Sequence, residues 1–169
     1  MEGMECYENY PASLVVFNVL FSLLGLSVNL AVLAQLGTWA WVGYLVLYLL
    51  ATASVLSFAC PRCYYYGKAC AMGYGKVAAL FLQKGAEEEF GKATSHKIAG
   101  TLLLLTFPLP ILGGIASLLT GFSTYRLLLF LILIGLTVVG FMTRPRFVCG
   151  HCRQMESGRC MIAPPREER

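Results

Sequence analysis

The sequence contains no aspartate and few charges of any kind. Only 13% of its 169 residues are charged, and all nine acidic residues are glutamate. A soluble domain carries about a quarter charged residues. Together with 57% hydrophobic residues and a mean hydropathy of +0.67, this deficit is typical of an integral membrane protein.

A signal-peptide pattern is also missing from the N-terminal region. Glu2, Glu5 and Glu8 stand where a secretory signal carries basic residues, and the first apolar run is longer than a signal core. We therefore expect this run to be retained as a membrane-spanning helix.

Four apolar runs are long enough to cross a bilayer, which requires about 20 residues. They cover residues 14–36, 39–59, 98–120 and 125–143. Because Gly37-Thr38 joins the first two runs and residues 121–124 join the last two, we expect two tight helical hairpins. The sequence therefore predicts an all-α integral membrane fold with four transmembrane helices.

Prolines mark the expected interruptions of these helices. Pro61 and Pro145 should end the second and fourth helices, since proline lacks the amide that continues a helix. Pro108 and Pro110 should kink the third helix. Small and amide side chains recur along the first and third runs, where we expect them to let helices pack closely. These residues are Asn18, Ser22, Gly25, Asn29, Gly113 and Ser117.

The basic residues lie almost entirely on one side of the predicted membrane. Four crossings place both termini and the long middle segment on the same side, with twelve of the thirteen Lys and Arg residues. These twelve are Arg62, Lys68, Lys76, Lys84, Lys92, Lys97, Arg144, Arg146, Arg153, Arg159, Arg166 and Arg169, and Arg126 is opposite. The positive-inside rule therefore predicts a multi-pass protein of the cell (inner or plasma) membrane with both termini in the cytosol. Since the bases lie at membrane edges, we expect lipid headgroups and not nucleic acid as their partner.

This topology divides the chain into five parts. A cytosolic N-terminal segment (1–13) precedes the first hairpin (14–59), and a cysteine-rich cytosolic segment (60–97) precedes the second hairpin (98–143). A cysteine-rich cytosolic tail (144–169) follows. Residues 75–90 in the middle segment place apolar side chains on one helical face, which predicts a short helix lying along the membrane surface, or else one packed within the cytosolic part.

Each hairpin is followed by a C-x-x-C motif and a third cysteine. The first set is Cys60, Cys63 and Cys70, and the second set is Cys149, Cys152 and Cys160. This repeat predicts two halves related by a pseudo-two-fold axis along the membrane normal, which would bring the two motifs together in a cytosolic cap. Cytosolic thiols stay reduced, so the pattern favours a metal or redox site over structural disulfides.

The two C-x-x-C motifs resemble the paired knuckles of a zinc ribbon, each of which presents two sulfurs to one ion. In a ribbon the knuckles lie about 15–20 residues apart, whereas a whole hairpin separates them here, so the resemblance implies a tetrahedral thiolate site and not the ribbon fold. All six cysteines are candidate metal ligands. One four-thiolate site fits the pattern, and so do two sites that each take a fourth ligand from Cys6, His96 or His151. Nearby arginines and lysines would stabilise the thiolates. An iron–sulfur cluster is the alternative cofactor.

The second motif also resembles the redox tetrad of protein disulfide isomerases, although no βαβ pattern accompanies it. A C-x-x-C at a helix end in a four-helix membrane protein is similar to vitamin K epoxide reductase-like enzymes, whose cysteines serve the extracytoplasmic side. These resemblances imply a membrane thiol–disulfide oxidoreductase as a second hypothesis, and a soft-metal transporter or sensor is a third. The leading hypothesis is a zinc-binding membrane protein, with no catalytic residue assigned. Its site would be structural or would dock a partner, either a second copy or another subunit of a membrane complex.

Overall fold

The computed structural model of the chain describes residues 6–90 and 94–156. The α-helices in these residues are α1 (Ala12–Ala34), α2 (Thr38–Ser54), α3 (Tyr74–Phe81), α4 (Thr94–Leu105), α5 (Pro108–Thr120), α6 (Thr124–Phe147) and α7 (Arg153–Glu156). Cys160, the third cysteine of the second set, lies outside the described residues.

Four helical stretches of the described chain are long and apolar enough to cross a membrane, as the sequence predicts. Span one is Ala12–Ala34, span two is Thr38–Arg62, span three is Thr94–Thr120 and span four is Thr124–His151. Their outer surfaces expose many large apolar side chains, such as Leu20, Leu49 and Phe141. Exposed apolar surface on this scale suits contact with lipid and not with water.

The predicted end of span two at Cys60-Pro61 agrees with the structure to within one residue of Pro61, whereas the proline prediction for span four needs correction. Helix α2 ends at Ser54, but the chain continues as a π-helical turn (Val55–Ala59) and then a 3₁₀ turn (Cys60–Arg62) that contains Pro61. Helix α6 runs through Pro145 to Phe147, so the prediction that Arg144-Pro145 ends it is wrong. Proline near a helix end removes only one amide bond, and the Val148 amide still donates to the Arg144 carbonyl at 2.9 Å.

Span three is interrupted where its prolines predict. Helix α4 ends at Leu105, and α5 starts at Pro108, which needs no amide partner in a first helical turn. An apolar groove of about 420 Å³ lies between α1, α2 and α5, lined in part by Leu33, Leu109 and Leu112. The interruption therefore separates α4, which contacts α2, from α5, which contacts α1 and α6.

Asn29, Gly113 and Ser117 lie at helix contacts, as their spacing predicts, whereas the prediction is wrong for Gly25, which faces open space. The Asn29 side chain donates to the Tyr44 hydroxyl at 2.9 Å, and this hydroxyl donates to the Thr106 carbonyl at 3.3 Å, beside the break in span three. The Ser117 hydroxyl bonds the Gln35 side-chain oxygen at 2.9 Å. In a membrane such bonds connect helices that have no hydrophobic drive to associate in lipid.

The middle segment is helical over a shorter range than its periodicity predicts. Helix α3 covers Tyr74–Phe81, and a separate 3₁₀ turn covers Glu87–Glu89. Before α3 the chain forms consecutive turns between residues 63 and 73, with Gly67 and Gly73 at positive φ. The Asn18 side chain donates to the Ala71 carbonyl at 3.2 Å, so these turns pack directly on span one.

Candidate thiol site

The two C-x-x-C motifs adopt the same backbone conformation at the ends of spans two and four. Each is a single 3₁₀ turn, Cys60–Arg62 in the first half and Cys149–His151 in the second. The Cys63 amide donates to the Cys60 carbonyl at 3.3 Å, and the Cys152 amide donates to the Cys149 carbonyl at 3.2 Å. The second cysteine of each motif is extended, with ψ of 148° and 119°. Two motifs with different middle residues thus form one kind of turn.

The second cysteines of both motifs pack against one buried cluster. Its centre is formed by Tyr10, Tyr65 and Ala71, and Cys63, Cys70 and Cys152 lie around it. These residues come from three stretches of chain, 6–11, 63–75 and 148–154, which together we call the cap. The fold thus brings together one cysteine from each motif and the third cysteine of the first half.

Two tyrosines hold these stretches together. The Tyr10 hydroxyl donates to the Val148 carbonyl at 2.7 Å. The Tyr65 hydroxyl donates to the Tyr7 carbonyl at 2.8 Å and accepts the Arg153 amide at 3.1 Å. Each phenol therefore connects stretches that are far apart in sequence.

The N-terminal stretch also pairs with both halves through its backbone. The Tyr7 amide donates to the His151 carbonyl at 3.0 Å, and the Tyr10 amide donates to the Ala69 carbonyl at 2.9 Å. Tyr7 and Cys152 form an isolated parallel bridge. Residues 6–10 therefore lie between the two cysteine-bearing segments.

Gln154 connects the second half directly to Cys63. Its side chain is nearly buried, at 7% exposure. The Gln154 side-chain oxygen accepts the Tyr64 amide at 3.0 Å and lies 3.8 Å from the Cys63 sulfur. A thiol of the first half is thus held by a residue of the second.

Backbone amides also point at two of the sulfurs. The Gly75 amide donates to the Cys70 sulfur at 3.4 Å, and the Tyr65 amide donates to the Cys63 sulfur. Amide donors favour the charged form of a thiol. At Cys63 this contact acts to lower the pKa of the thiol.

Burial acts in the opposite direction and dominates at Cys63. It raises the pKa of the Cys63 thiol to about 11, with smaller raising effects from Cys152 and Cys70. Burial likewise raises the pKa of the Tyr10 and Tyr65 phenols above their usual range. At neutral pH the Cys63 thiol therefore keeps its proton, which makes it a weak nucleophile until a cation displaces that proton.

Two of the bases predicted to stabilise thiolates have other partners. The Arg62 guanidinium pairs with Glu89 at 3.0 Å and donates to the Phe58 carbonyl at 3.2 Å. The Lys68 ammonium lies 4.2 Å from the centre of the Tyr64 ring. Their positive charges are therefore shared with groups other than sulfur.

The six predicted ligands are placed unequally. Cys60 belongs to the 3₁₀ turn at the end of span two, and Cys63 and Cys70 lie at the edge of the buried cluster. Cys149 and Cys152 belong to the turn at the end of span four. Within the described residues, however, no group of three or more His, Cys or acidic side chains is arranged to hold a metal ion.

The two histidines differ in their surroundings. His96 is fully buried at the start of α4, with its ring 5.3 Å from the Phe90 ring. Neither ring nitrogen of His96 has a hydrogen-bond partner in the part of the chain that the structure describes. His151 is half-buried and stacks on Tyr7 at 4.8 Å. Neither histidine belongs to a group of metal-binding side chains in the described chain.

Sequence reasoning missed the residues that build the cap around the cysteines. Tyr10, Tyr65 and Gln154 carry its long-range hydrogen bonds. A run of three tyrosines, Tyr64-Tyr65-Tyr66, directly follows the first motif and could have indicated that aromatic side chains pack around the cysteines. Nothing local marks Gln154.

Comparisons of the chain with protein-family models, with curated proteins and with solved structures find no match.

Proposed function

We propose that this chain is a membrane protein that binds a metal ion, zinc in the first place, through its paired C-x-x-C motifs. The observation that carries the proposal is that each motif forms a single 3₁₀ turn and that the second cysteines of both motifs pack on the same cluster. Turns of this kind present two sulfurs to one ion. Cys60, Cys63, Cys149 and Cys152 would supply four thiolates, with Cys70 beside them.

On this proposal, metal binding itself brings the four cysteine ligands together. Four thiols would lose four protons to water as their thiolates bind one divalent zinc ion, and the resulting site would carry two negative charges. The amides that face the Cys63 and Cys70 sulfurs would stabilise that charge. Because the motifs end two different spans, an ion held between them would fix the ends of spans two and four relative to each other.

The helix contacts support the proposed pairing of the two halves. Span one contacts spans two, three and four, span two contacts span three, and span three contacts span four. A pseudo-two-fold axis along the membrane normal would exchange the contact of spans one and four with that of spans two and three. On this proposal the chain consists of two hairpins whose cap lies in the cytosol with both termini, as the distribution of basic residues favours. A bound metal would then serve the fold or a docking partner, either a second copy or another membrane subunit.

Thiol–disulfide exchange is the second candidate function. It is favoured by the packing of Cys63 and Cys152 on one cluster, because a disulfide needs only two sulfurs. The raised pKa of Cys63 opposes it, since the thiolate is the reactive form. We rank an iron–sulfur cluster and a soft-metal transport or sensing site below these two candidates.

The test is anaerobic purification in detergent, followed by elemental analysis and a visible spectrum. We expect zinc at about one equivalent per chain. Cys63→Ser and Cys152→Ser should each lose most of it, while Cys6→Ser, outside both motifs, should keep it. Size-exclusion profiles and far-UV circular dichroism of every variant separate loss of metal from loss of fold.

Each other result selects a different function. Iron with visible absorption would indicate a cluster. A chain without metal that takes up no added zinc, but in which Cys63 and Cys152 become protected from alkylation on oxidation, would replace the zinc proposal with thiol–disulfide exchange. Reversible binding of added copper(I) in place of zinc would indicate soft-metal handling.

A further inference from the structure

Helix α3 has its large apolar side chains on the outside of the molecule. Leu80 and Phe81 are 77% and 79% exposed, and Val77 is 39% exposed. These three residues share one helical face, since they are three and four positions apart. Exposed apolar side chains concentrated on one short helix indicate a face that contacts something other than water.

The opposite face of α3 is small and fixed in place. Ala78 and Gly75 are buried. A Cβ atom at Gly75 would lie 2.6 Å from the Lys68 carbonyl oxygen and closer still to that of Tyr65. The helix therefore sits with its backbone directly on the 65–68 turn, and rotation that would hide Leu80 and Phe81 would break this contact.

The position of α3 shows which surface the exposed face continues. The helix contacts the π-helical and 3₁₀ turns at the end of span two, residues 55–62. Phe58 in that turn is itself exposed, at 38%. At its start, Gly73 lies against Val15 of span one, so α3 begins beside the helix bundle. Its apolar face therefore adjoins the outer surface of a span whose environment is hydrocarbon.

The charges near α3 suit the boundary between hydrocarbon and water. Lys76 is exposed one residue before Val77, and Lys84 follows the helix and pairs with Glu87 at 2.9 Å. Lysine next to an apolar face is typical of helices that lie at a membrane surface. The acidic residues 87–89 come after this face and mark where the chain returns to water.

We propose that α3 is a membrane-anchoring helix that inserts Val77, Leu80 and Phe81 into the boundary between lipid headgroups and acyl chains. Its ligand is the lipid bilayer itself. Because the buried face of α3 rests on the turn that follows Cys63, the anchor would hold the cysteine-bearing part of the cap against the membrane. The proposal does not depend on which ion, if any, the cysteines bind.

Tryptophan fluorescence in vesicles tests the anchor. The two native tryptophans, Trp39 and Trp41, are first replaced by phenylalanine, and Phe81→Trp then supplies a single reporter. Two matched variants calibrate it. Phe141→Trp lies on the exposed surface of span four, and Gln83→Trp lies just beyond α3 on an exposed polar position.

In phosphatidylcholine vesicles we expect the Phe81→Trp emission to be shifted to the blue and quenched by brominated acyl chains, as for Phe141→Trp. Emission from Gln83→Trp should instead be quenched by aqueous iodide. Leu80→Trp should repeat the Phe81→Trp result, which guards against a local disturbance by one substitution. Only variants with the parent size-exclusion profile are compared.

The proposal is overturned if the reporters at positions 80 and 81 are quenched by iodide and not by brominated lipid. That result would make this face a water-exposed surface for a protein partner. Zinc analysis of the same samples separates the two proposals, because the membrane depth of α3 and the metal content of the chain are measured independently.

Discussion

Tyr10 and Tyr65 occupy the centre of the cap, and each phenol bonds backbone groups from a different part of the chain. Burying a phenol is favourable only when its hydroxyl finds a partner. Both tyrosines meet that condition, and in doing so they fix the separation of the segments that carry Cys63 and Cys152. At the scale of residues, the side chains of Tyr10 and Tyr65 set the geometry of the thiols.

Gly75 is the residue whose replacement should disturb this geometry most directly. In Gly75→Ala the new methyl group would meet the carbonyl oxygens of Tyr65 and Lys68, which are backbone atoms and cannot turn aside. We expect a loss of about 1–3 kcal/mol in unfolding free energy, measured by thermal unfolding in detergent.

The control for this substitution is Gly25→Ala in α1. No heavy atom lies within 4 Å of a Cβ at Gly25, and alanine is the better helix former. We expect its stability to be unchanged or slightly higher. Equal melting temperatures for the two variants would show that α3 does not rest on the 65–68 turn.

At the scale of elements, the broken third span is held by a side chain of span two. The break at residues 106–107 leaves carbonyl groups without helical partners, and Tyr44 donates to one of them. Asn29 of α1 donates in turn to the Tyr44 hydroxyl. Three spans therefore share one short chain of hydrogen bonds beside the apolar groove.

Tyr44→Phe removes the middle of that chain. The Thr106 carbonyl and the Asn29 amide would each lose a partner, and we expect a loss of about 1 kcal/mol, the usual size of such bonds between membrane helices. The measurement is unfolding by a denaturing detergent.

Tyr48→Phe, one turn further along α2, is the matched control and should leave stability close to that of the parent. In an Asn29→Leu background, Tyr44→Phe should be less costly than in the parent, because one of the two partners is already gone. Additive losses would show that the two side chains act separately.

At the scale of the whole molecule, the proposed topology places the cap and the short connections at residues 35–37 and 121–123 at opposite ends of the four spans. The proposed cytosolic side carries every cysteine of the sequence, while the turns at residues 35–37 and 121–123 carry none. This separation makes the topology measurable with the protein's own thiols.

A membrane-impermeant maleimide added to intact cells should leave the native protein unlabelled. It should label the protein once the membrane is opened and the chain is denatured, which removes protection by burial. Ser123→Cys, at an exposed position of the second turn, should be labelled in intact cells. Labelling of the native protein in intact cells would show that the cysteines face the outside of the cell, where disulfides can form.

Much of the helical framework follows from local sequence. Runs of about 20 apolar residues predict spans whatever the rest of the chain does, because each helix satisfies its own backbone hydrogen bonds in lipid. The break before Pro108 is also local, because proline has no backbone amide to continue the preceding helix. The incorrectly predicted end of span four shows the limit of such rules. The energetic cost of Pro145 depends on how many helical turns follow it.

The cap was only partly predictable. The spacing of Cys60, Cys63, Cys149 and Cys152 indicates two equivalent turns, and the structure forms them. The placement of Cys70 beside Cys63, the burial of His96 and the bond from Gln154 to the first half depend on contacts between residues far apart in sequence. No periodicity encodes such contacts.

By itself the sequence determined that the chain forms helices long and apolar enough to cross a membrane, where those helices lie and where the cysteines recur, because apolar length and cysteine spacing act locally. Only the tertiary structure decided that Cys63 and Cys152 share one tyrosine-lined cluster and that α3 turns its large side chains outward. Those arrangements arise from packing, in which Gly75 and Ala78 fit against a neighbouring turn and Leu80 and Phe81 do not.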